Sequence, residues 1–185
     1  EPMLRPRMCE AASRIFDHPL IFTNGTQGFA PIDAQWILSL DGTRKVHDSI
    51  RGNGAFDCSV ENLRKAPRKP VVHTTITRQN QPNLEEFLDE LSTMPVKGVG
   101  FSFYTPHITG DESSLFIPLA ERERILDELL RLRKKYWRIM GLTGTMANQL
   151  RRSGEFSEWN SIEKCPVSKV CNCYNSDGTQ KPCTY

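Results

Sequence analysis

Short apolar segments alternate with longer amphipathic segments along most of this chain. The apolar segments have the length and the β-branched or aromatic content of strands, and they end at turn dipeptides or at a proline. We predict four strands, at residues 20–23, 36–40, 71–77 and 99–104. The first is expected to be a short buried strand, and continuous apolar strands of this kind are typical of a sheet whose faces are covered.

The amphipathic segments between these strands predict helices. The predicted helices span 4–16, 55–65, 84–91 and 119–137, and in the last three apolar residues recur at helical spacing on one face. Asn83 is the expected N-cap of the third, and Glu86 stands at the spacing of a capping box. Strands that alternate with helices in this way indicate a parallel sheet with crossover connections.

Four strands are too few to close a barrel, which takes about eight. We therefore predict the α/β class, either as a small open parallel sheet or as a sheet with strands missing, which would make it a partial parallel (β/α) barrel fragment, with a Cys-rich, loop-rich C-terminal extension. The first region is expected to span residues 1–137 and the extension residues 138–185, where the apolar periodicity is lost.

Composition excludes several classes of protein. With 38% hydrophobic residues in a chain of 185, a real core is expected rather than disorder. The 24 basic and 22 acidic residues leave a net charge of +2, which gives no reason to expect a nucleic acid partner. No apolar run approaches a membrane span, and the N-terminus lacks a signal-peptide pattern, so a cytoplasmic location is predicted.

Parallel α/β folds bind ligands at the carboxyl ends of their strands. The side chains expected there are mostly polar and suit a small polar ligand; they include Ser39, Asp41, Thr77, Asn80, Tyr104 and His107. Simpler interpretations stand beside this one. Arg51 is interpreted as a solvated charge at a helix start, His47 as a surface or capping residue, and His73 as a strand residue without a role.

Four of the six cysteines lie close together near the C-terminus, with the spacing C-x5-C-x-C-x9-C. They are Cys165, Cys171, Cys173 and Cys183. Grouped thiolates suit zinc or an iron–sulfur cluster, while disulfides and plain thiols stay open as alternatives. The segment between Cys173 and Cys183 predicts a hairpin with Asp177 at its turn. Cys9 and Cys58 are expected to be ordinary buried thiols.

Several segments together resemble the radical S-adenosylmethionine (radical SAM) enzymes. The opening "EPMLRP" is similar to the end of their G-G-E-P motif, and "LIFTNGT" to the strand that follows it. The most specific element, "WILSLDGTRKVHDSIRGNGAFD", resembles the S-I/L-D-G…H-D-x-x-R-G stretch of members with Cys-rich extensions, the SPASM and Twitch types. "TTITRQN" and "GVGFSFYTP" stand where the next two strands of that family fall.

The resemblance implies a partial (β/α)6 barrel and two kinds of cofactor. In this family a four-iron four-sulfur (4Fe-4S) cluster binds S-adenosylmethionine and cleaves it reductively, and the resulting radical abstracts a hydrogen atom from the substrate. The expected partners are a small-molecule or peptide substrate and a reductant such as flavodoxin or ferredoxin. The tail thiols Cys165, Cys171, Cys173 and Cys183 would then belong to an auxiliary 4Fe-4S cluster.

Matched positions imply roles for individual residues. Glu1 corresponds to the motif residue near the methionine amino group, Ser39 to a ribose contact, and Arg51 to a partner of the methionine carboxylate. Thr77 and Asn80 are expected to line the cofactor cavity. Tyr104 and His107 are candidates for substrate contact because of where their strand ends.

The chain also departs from the family pattern. The C-x-x-x-C-x-x-C loop that holds the catalytic cluster is absent from this sequence, and so are the glycines of the G-G-E-P motif. We therefore expect a fragment of a radical SAM enzyme that is inactive as it stands. The alternatives are a non-catalytic α/β binding module with a structural four-cysteine zinc site, and an unrelated barrel enzyme that uses Arg78 and His107.

Overall fold

The structure, a computed structural model, describes residues 1–105, 114–151, 172–174, 177 and 179–181. The chain divides into two compact units, Glu1–Thr143 and Gly144–Tyr185, and each is described by itself.

The first unit contains a parallel sheet of four strands in the order β1-β2-β3-β4. The strands are β1 (Leu20–Thr23), β2 (Gln35–Ser39), β3 (Val71–Ile76) and β4 (Gly98–Phe103). The helices are α1 (Pro6–Ile15), α2 (Arg44–Arg51), α3 (Ala55–Arg64), α4 (Leu84–Ser92) and α5 (Leu119–Lys135), with short 3-10 helices at Pro2–Leu4 and Gln81–Asn83. The α/β class, the parallel sheet and all four predicted strands are confirmed, the strands to within one residue at each end. The partial barrel stays a prediction.

After α5 the chain returns to the sheet beside β4. Met140 forms a parallel bridge with Val99, and the Val99 N–H donates to the Ile139 carbonyl at 2.7 Å. The strand-then-helix progression therefore continues for one more step past β4.

The sheet has a covered face and an open face. In β3 burial alternates strictly, so that Val72, Thr74 and Ile76 are buried while the residues between them are half-buried. The register extends this alternation to the other strands, because aligned residues of parallel strands point to the same side. On the covered face Thr23, Trp36, Leu38, Val72, Thr74, Ile76 and Val99 are buried, and Ile21, Phe101 and Phe103 are half-buried. The open face holds the alternate set, in which Ile37 alone of those named is buried: Leu20, Phe22, Ile37, Ser39, Val71, His73, Thr75, Gly100 and Ser102.

The helices supply the rest of the core. The apolar stripes of the three later predicted helices are buried: Phe56, Val60 and Leu63 in α3; Leu84, Phe87, Leu88 and Leu91 in α4; Ile125, Leu129 and Leu132 in α5, where Leu126 joins them. At the β1 end of the sheet, Cys9 of α1 packs with Ile32, Ala34 and Trp36. Burial of these stripes, rather than local propensity, is what stabilises helices of this length.

Three local predictions were wrong. β1 is not a buried strand: Leu20 and Phe22 are 60% and 56% exposed, because β1 lies at the edge of the sheet and both side chains stand on the open face. Cys58 is exposed, and its thiol contacts the Thr26 carbonyl at 3.4 Å. The capping box does not form, since the Asn83 side chain bonds the Glu86 carboxylate instead of the backbone of α4.

Helix α2 was missed by the sequence analysis. Its only buried residue is His47, so it has no apolar stripe from which a helix could be recognised. Asp48 of α2 bonds the backbone N–H groups of Gly54 and Phe56 at 3.0 and 2.8 Å, and thereby caps the start of α3. These bonds hold the pKa of Asp48 below its usual value, the bond from Phe56 having the larger effect.

The described part of the second unit contains one helix and one hairpin. The helix is α6 (Gly144–Arg151), which the sequence analysis missed. The hairpin pairs β5 (Cys173–Tyr174) with β6 (Gln180–Lys181) in antiparallel register, as predicted. Asp177 lies in the turn, where its carboxylate accepts bonds from the Thr179 N–H and hydroxyl at 2.9 and 2.7 Å.

Candidate functional site

Asp41, directly after β2, is the centre of a hydrogen-bond network at the carboxyl edge of the sheet. It is 3% exposed, and its carboxylate pairs with Arg51 at 2.5 Å and accepts the Thr75 N–H at 3.2 Å. Its own N–H donates to Nδ1 of His47 at 3.1 Å, and its carbonyl accepts from the Asn80 side chain at 2.7 Å. The carboxylate of Asp41 thus ties α2 to β3, and its carbonyl ties the same residue to the loop after β3.

Arg51 is the last residue of α2, so its interpretation as a charge at a helix start was wrong. Only its Nε bonds Asp41, and its side chain is 34% exposed. The two terminal amino groups of the guanidinium therefore stay open to a ligand as far as the described residues are concerned. A guanidinium fixed through Nε in this way is preorganised for a carboxylate or phosphate.

His47 is fully buried, and its prediction as a surface or capping residue was wrong. Because Nδ1 accepts the Asp41 N–H, the neutral ring carries its proton on Nε2. Burial lowers the pKa of His47, Arg51 adds to the effect, and Asp41 and Asp48 oppose it. Within the described part of the chain, Nε2 has no hydrogen-bond partner. A buried N–H without an acceptor is costly and points to a missing partner.

These groups line a cavity of about 290 Å³ between the end of β1 and helices α2 and α3. Its lining residues are Asn24, Thr26, His47, Ile50, Arg51, Ala55 and Ser59. The side-chain oxygen of Asn24 is occupied by the Thr26 N–H and hydroxyl at 3.0 and 2.8 Å, which leaves its NH₂ group as a donor. The donors of Asn24 and Arg51 make this cavity suited to an anionic group, while Nε2 of the buried His47 is sealed from solvent.

Glu1 is anchored at the carboxyl end of β1. Its carboxylate accepts the Thr23 hydroxyl at 2.5 Å and the Asn24 N–H at 3.2 Å. The Thr23 oxygen in turn accepts the Gly25 N–H at 2.9 Å. The structure therefore brings Glu1 to the loop that supplies Asn24 to the cavity.

Ser39 ends β2 on the open face and is half-buried. No described residue bonds its hydroxyl, so this group is available to a ligand. Its role as a ribose contact stays a prediction.

Thr77 and Asn80 are 3% and 1% exposed, and they bond mainly to each other and to their neighbours. The Asn80 side-chain oxygen accepts the Thr77 N–H at 2.8 Å, while its NH₂ group donates to the carbonyls of Asp41 and Thr75 at 2.7 and 2.8 Å. These bonds give Asn80 a structural role in the loop after β3. The assignment of both residues to a cofactor stays a prediction.

Tyr104 follows β4, and its carbonyl accepts a bond from Arg122 at 3.2 Å. The Arg122 guanidinium also lies over the rings of Phe103 and Phe116 at 4.8 and 5.6 Å and donates to the Ile117 carbonyl. The start of α5 is therefore fastened to the end of β4. His107 lies outside the described residues, and substrate contact by either Tyr104 or His107 stays a prediction.

The predicted metal ligands are only partly described. Cys173 is buried at the start of β5, whereas Cys165, Cys171 and Cys183 lie outside the described residues. Within the described ranges no group of three or more His, Cys, Asp or Glu side chains is placed to bind a metal ion. The auxiliary cluster and the zinc alternative therefore both stay predictions.

His73, expected to be a strand residue without a role, lies on the open face in register with Ser39. Its imidazole is half-buried and lies edge-to-face with the Phe22 ring, with the ring centroids 6.3 Å apart. Burial lowers the pKa of His73, Arg51 adds to this effect, and Asp41 opposes it. Alternation along β3 places His73 on one face with Val71 and Thr75. The register then aligns His73 with Ser39, a predicted ligand contact, so both side chains lie on the same face.

Comparison with known proteins adds no relative: no protein-family model matches the chain, and no curated protein matches it. Of the described helices, none combines the length and the apolar character that crossing a membrane requires.

Proposed function

We propose that this chain is the S-adenosylmethionine-binding part of a radical SAM enzyme. The observation that supports the proposal best is the arrangement of its most specific motif, "SLDG…HDSIRG". Three of its residues, the buried Asp41 and His47 and the more exposed Arg51, form one network beside a cavity with hydrogen-bond donors on Asn24 and Arg51. A network of this kind fits a ligand with a carboxylate.

The chain's own residues would divide the work of holding the cofactor. Arg51 and the Asn24 NH₂ group would bind the methionine carboxylate. Glu1 would face the amino group, and Ser39 would bond the ribose. Asp41 does not face the ligand in this account; it fixes the guanidinium of Arg51 through Nε.

When bound at a reduced 4Fe-4S cluster, S-adenosylmethionine supplies a radical that abstracts a hydrogen atom from the substrate. The part of this chain is to orient the cofactor, with donors set in place before it arrives. A small molecule or a peptide is the proposed substrate, and flavodoxin or ferredoxin the proposed reductant.

Equilibrium binding of S-adenosylmethionine to the chain tests this proposal. Saturation-transfer NMR on the ligand signals detects binding as weak as a millimolar dissociation constant. We expect Arg51→Gln to weaken binding by about tenfold, the worth of one charge-assisted bond pair.

The matched control is Arg44→Gln at the other end of α2. Arg44 is exposed and pairs with Asp57 on the surface, so its loss should leave the affinity unchanged. Equal binding by wild type and Arg51→Gln would contradict the proposed site.

The auxiliary cluster needs a separate measurement. Anaerobic reconstitution with iron and sulfide should give a brown protein, and replacing Cys165, Cys171, Cys173 and Cys183 by serine should remove the colour. Colourless protein with one bound zinc per chain would favour the binding module with a structural zinc site.

A further inference from the structure

The C-terminal end of α5 is rich in cations, and some of them are balanced by acids of the same chain. Glu85 of α4 pairs with Arg131 and Lys135 at 3.1 and 3.2 Å. Asp89 of the same helix also pairs with Lys135 at 3.2 Å. On the side of α5 that meets α4, the positive charge is therefore neutralised within the fold.

Arg133, Lys134 and Arg138 form a second group, whose charge is not balanced. All three are exposed, and no carboxylate in the described part of the chain pairs with any of them. The partial negative charge at the end of α5 favours Arg133 and Lys134, which lie in its last turn. It does not account for Arg138, which lies beyond the helix.

Trp137 lies next to these cations, directly after the C-cap residue of α5. Its side chain is 67% exposed, although tryptophan is highly buried on average. The Arg138 guanidinium lies over the indole, 5.4 Å from the ring centroid, and so holds one face of the ring. Exposed tryptophan and arginine are the residues that most often carry the binding energy of protein interfaces. We call Arg133, Lys134, Trp137 and Arg138 the docking surface.

The docking surface suits an acidic protein better than a membrane or a nucleic acid. A membrane-bound helix inserts an apolar face, whereas the apolar stripe of α5 is buried in the core. Nucleic acids bind through many phosphate contacts, and the net charge of this chain is only +2. A nucleic acid base would also stack on the indole of Trp137, one face of which Arg138 already occupies.

We propose that the docking surface binds a carboxylate-rich patch on a partner protein, with Trp137 packed against an apolar side chain of that patch. The unbalanced cations attract the patch and orient it, and the indole anchors it. The inference does not depend on the proposed function, because no residue of the docking surface lines the cavity beside Arg51.

Two synthetic peptides test the proposal. One has a central phenylalanine flanked by glutamates, and in the other every glutamate is replaced by glutamine. NMR titration at low and at high salt follows the indole N–H signal of Trp137. We expect the acidic peptide to shift this signal and to bind at least about tenfold more tightly than the glutamine peptide, with an affinity that falls as salt is added. Equal binding of the two peptides overturns the proposal.

Charge-matched variants show whether these cations are responsible. Arg133→Gln combined with Lys134→Gln should weaken binding of the acidic peptide at least about tenfold. Arg7→Gln combined with Lys69→Gln is the control, because it removes the same charge from exposed residues that no described carboxylate pairs with. The control should lose less than about twofold. Equal losses in the two variants would mean that net charge alone attracts the peptide, and would refute the docking surface.

The indole is tested separately. Trp137→Ala should also weaken binding about tenfold but keep its salt dependence, while Trp137→Phe should retain most of the affinity. Urea midpoints should stay near that of the wild type, since these side chains are exposed. Lower midpoints with unchanged affinity would mean that the residues only stabilise the helix end, and would contradict the proposal.

Two further probes separate the partner classes. Vesicles that contain phosphatidylserine and a single-stranded oligothymidylate are each titrated against the wild type and against the Arg133→Gln, Lys134→Gln variant. We expect both to bind more weakly than the acidic peptide. Tighter binding of either probe, lost in this variant, would assign the surface to lipid or to nucleic acid and overturn the protein partner.

Discussion

The two faces of the sheet are built from alternate residues of the same four strands, and they differ in both burial and chemistry. On the covered face Leu38 and Val72 are completely buried, and even Thr74 bonds inward, to the Leu40 carbonyl at 2.8 Å. On the open face Ser39 and His73 have polar side-chain groups that no described residue bonds. Neighbouring residues of one strand thus have different roles. Those on the covered face stabilise the fold, and those on the open face are accessible to a ligand.

The carboxyl edge joins these two kinds of surface. Asp41 is as buried as the covered face, yet the guanidinium that it fixes opens into the cavity. Stability and binding are therefore coupled at this edge, whereas they are separate on the two faces. The predictions below test that separation.

The largest effect is expected from adjacent residues of β2. Leu38→Ala should lower the free energy of unfolding by about 3 kcal/mol, because it leaves a cavity in the core. Ser39→Ala should change it by less than about 0.5 kcal/mol and should instead weaken S-adenosylmethionine binding. Urea denaturation compares the two variants. A similar loss of stability in both would show that the open face is not separate from the core.

A somewhat smaller effect is expected at Asp41. Asp41→Ala leaves the Arg51 charge and the Thr75 N–H without their partner and should cost about 2 to 3 kcal/mol. Asp57→Ala is the control, since it breaks only an exposed pair with Arg44 and should cost at most about 0.5 kcal/mol. Chemical denaturation of both variants measures the difference, and equal costs would mean that the Asp41 network does not stabilise the edge.

The free energy of unfolding should depend on pH through the buried His47. The folded chain holds His47 neutral with a pKa below its usual 6.5, while the unfolded chain binds a proton near that pH. The stability from this group is complete above about pH 6.5 and is lost as the pH falls through the folded pKa. His47→Asn keeps an acceptor for the Asp41 N–H and cannot titrate, so its stability should fall less steeply between pH 6.5 and 5.5.

The readout is the urea midpoint at each pH. Because His73 shares the same direction of shift, His73→Gln should flatten the remaining slope. Identical slopes for wild type and His47→Asn would contradict the burial of a neutral imidazole.

The smallest effect concerns thiol access. Iodoacetamide should label exposed Cys58 in the native state and leave Cys9, which is 9% exposed, mostly unlabelled. Peptide mass mapping reads both sites without any change in stability. Faster labelling of Cys9 would mean that α1 does not stay packed on the sheet.

Sequence patterns were enough to find the strands and the long helices, because burial of an apolar set leaves a periodic trace. α2 left no such trace, since it is held by His47 and by the polar contacts of Asp48 and Arg51. The exposure of Leu20 and Phe22 was also beyond the sequence, because it depends on the place of β1 at the edge of the sheet.

The candidate site was predictable in the same uneven way. The end of the second predicted strand placed Ser39 at the carboxyl edge of the sheet. The similarity of the SLDG…HDSIRG motif placed Arg51 near the same edge. The roles of Asp41 and Asn80 in one network could not be predicted, because they depend on contacts between residues far apart in the chain, such as the bond from Asn80 to the Asp41 carbonyl. His73 was not predicted as a site residue, because the residues beside a histidine in a strand can be named only when the strand register is known.

The central claim is that ligands meet this chain at its carboxyl edge and open face. A map of backbone amide shifts during titration with S-adenosylmethionine tests it most directly. We expect the largest shifts at Asn24, Ser39 and Arg51, with small shifts on the covered face. Shifts concentrated instead around Asp33, Arg68 and Lys97, which line a cavity at the opposite ends of the strands, would contradict the account.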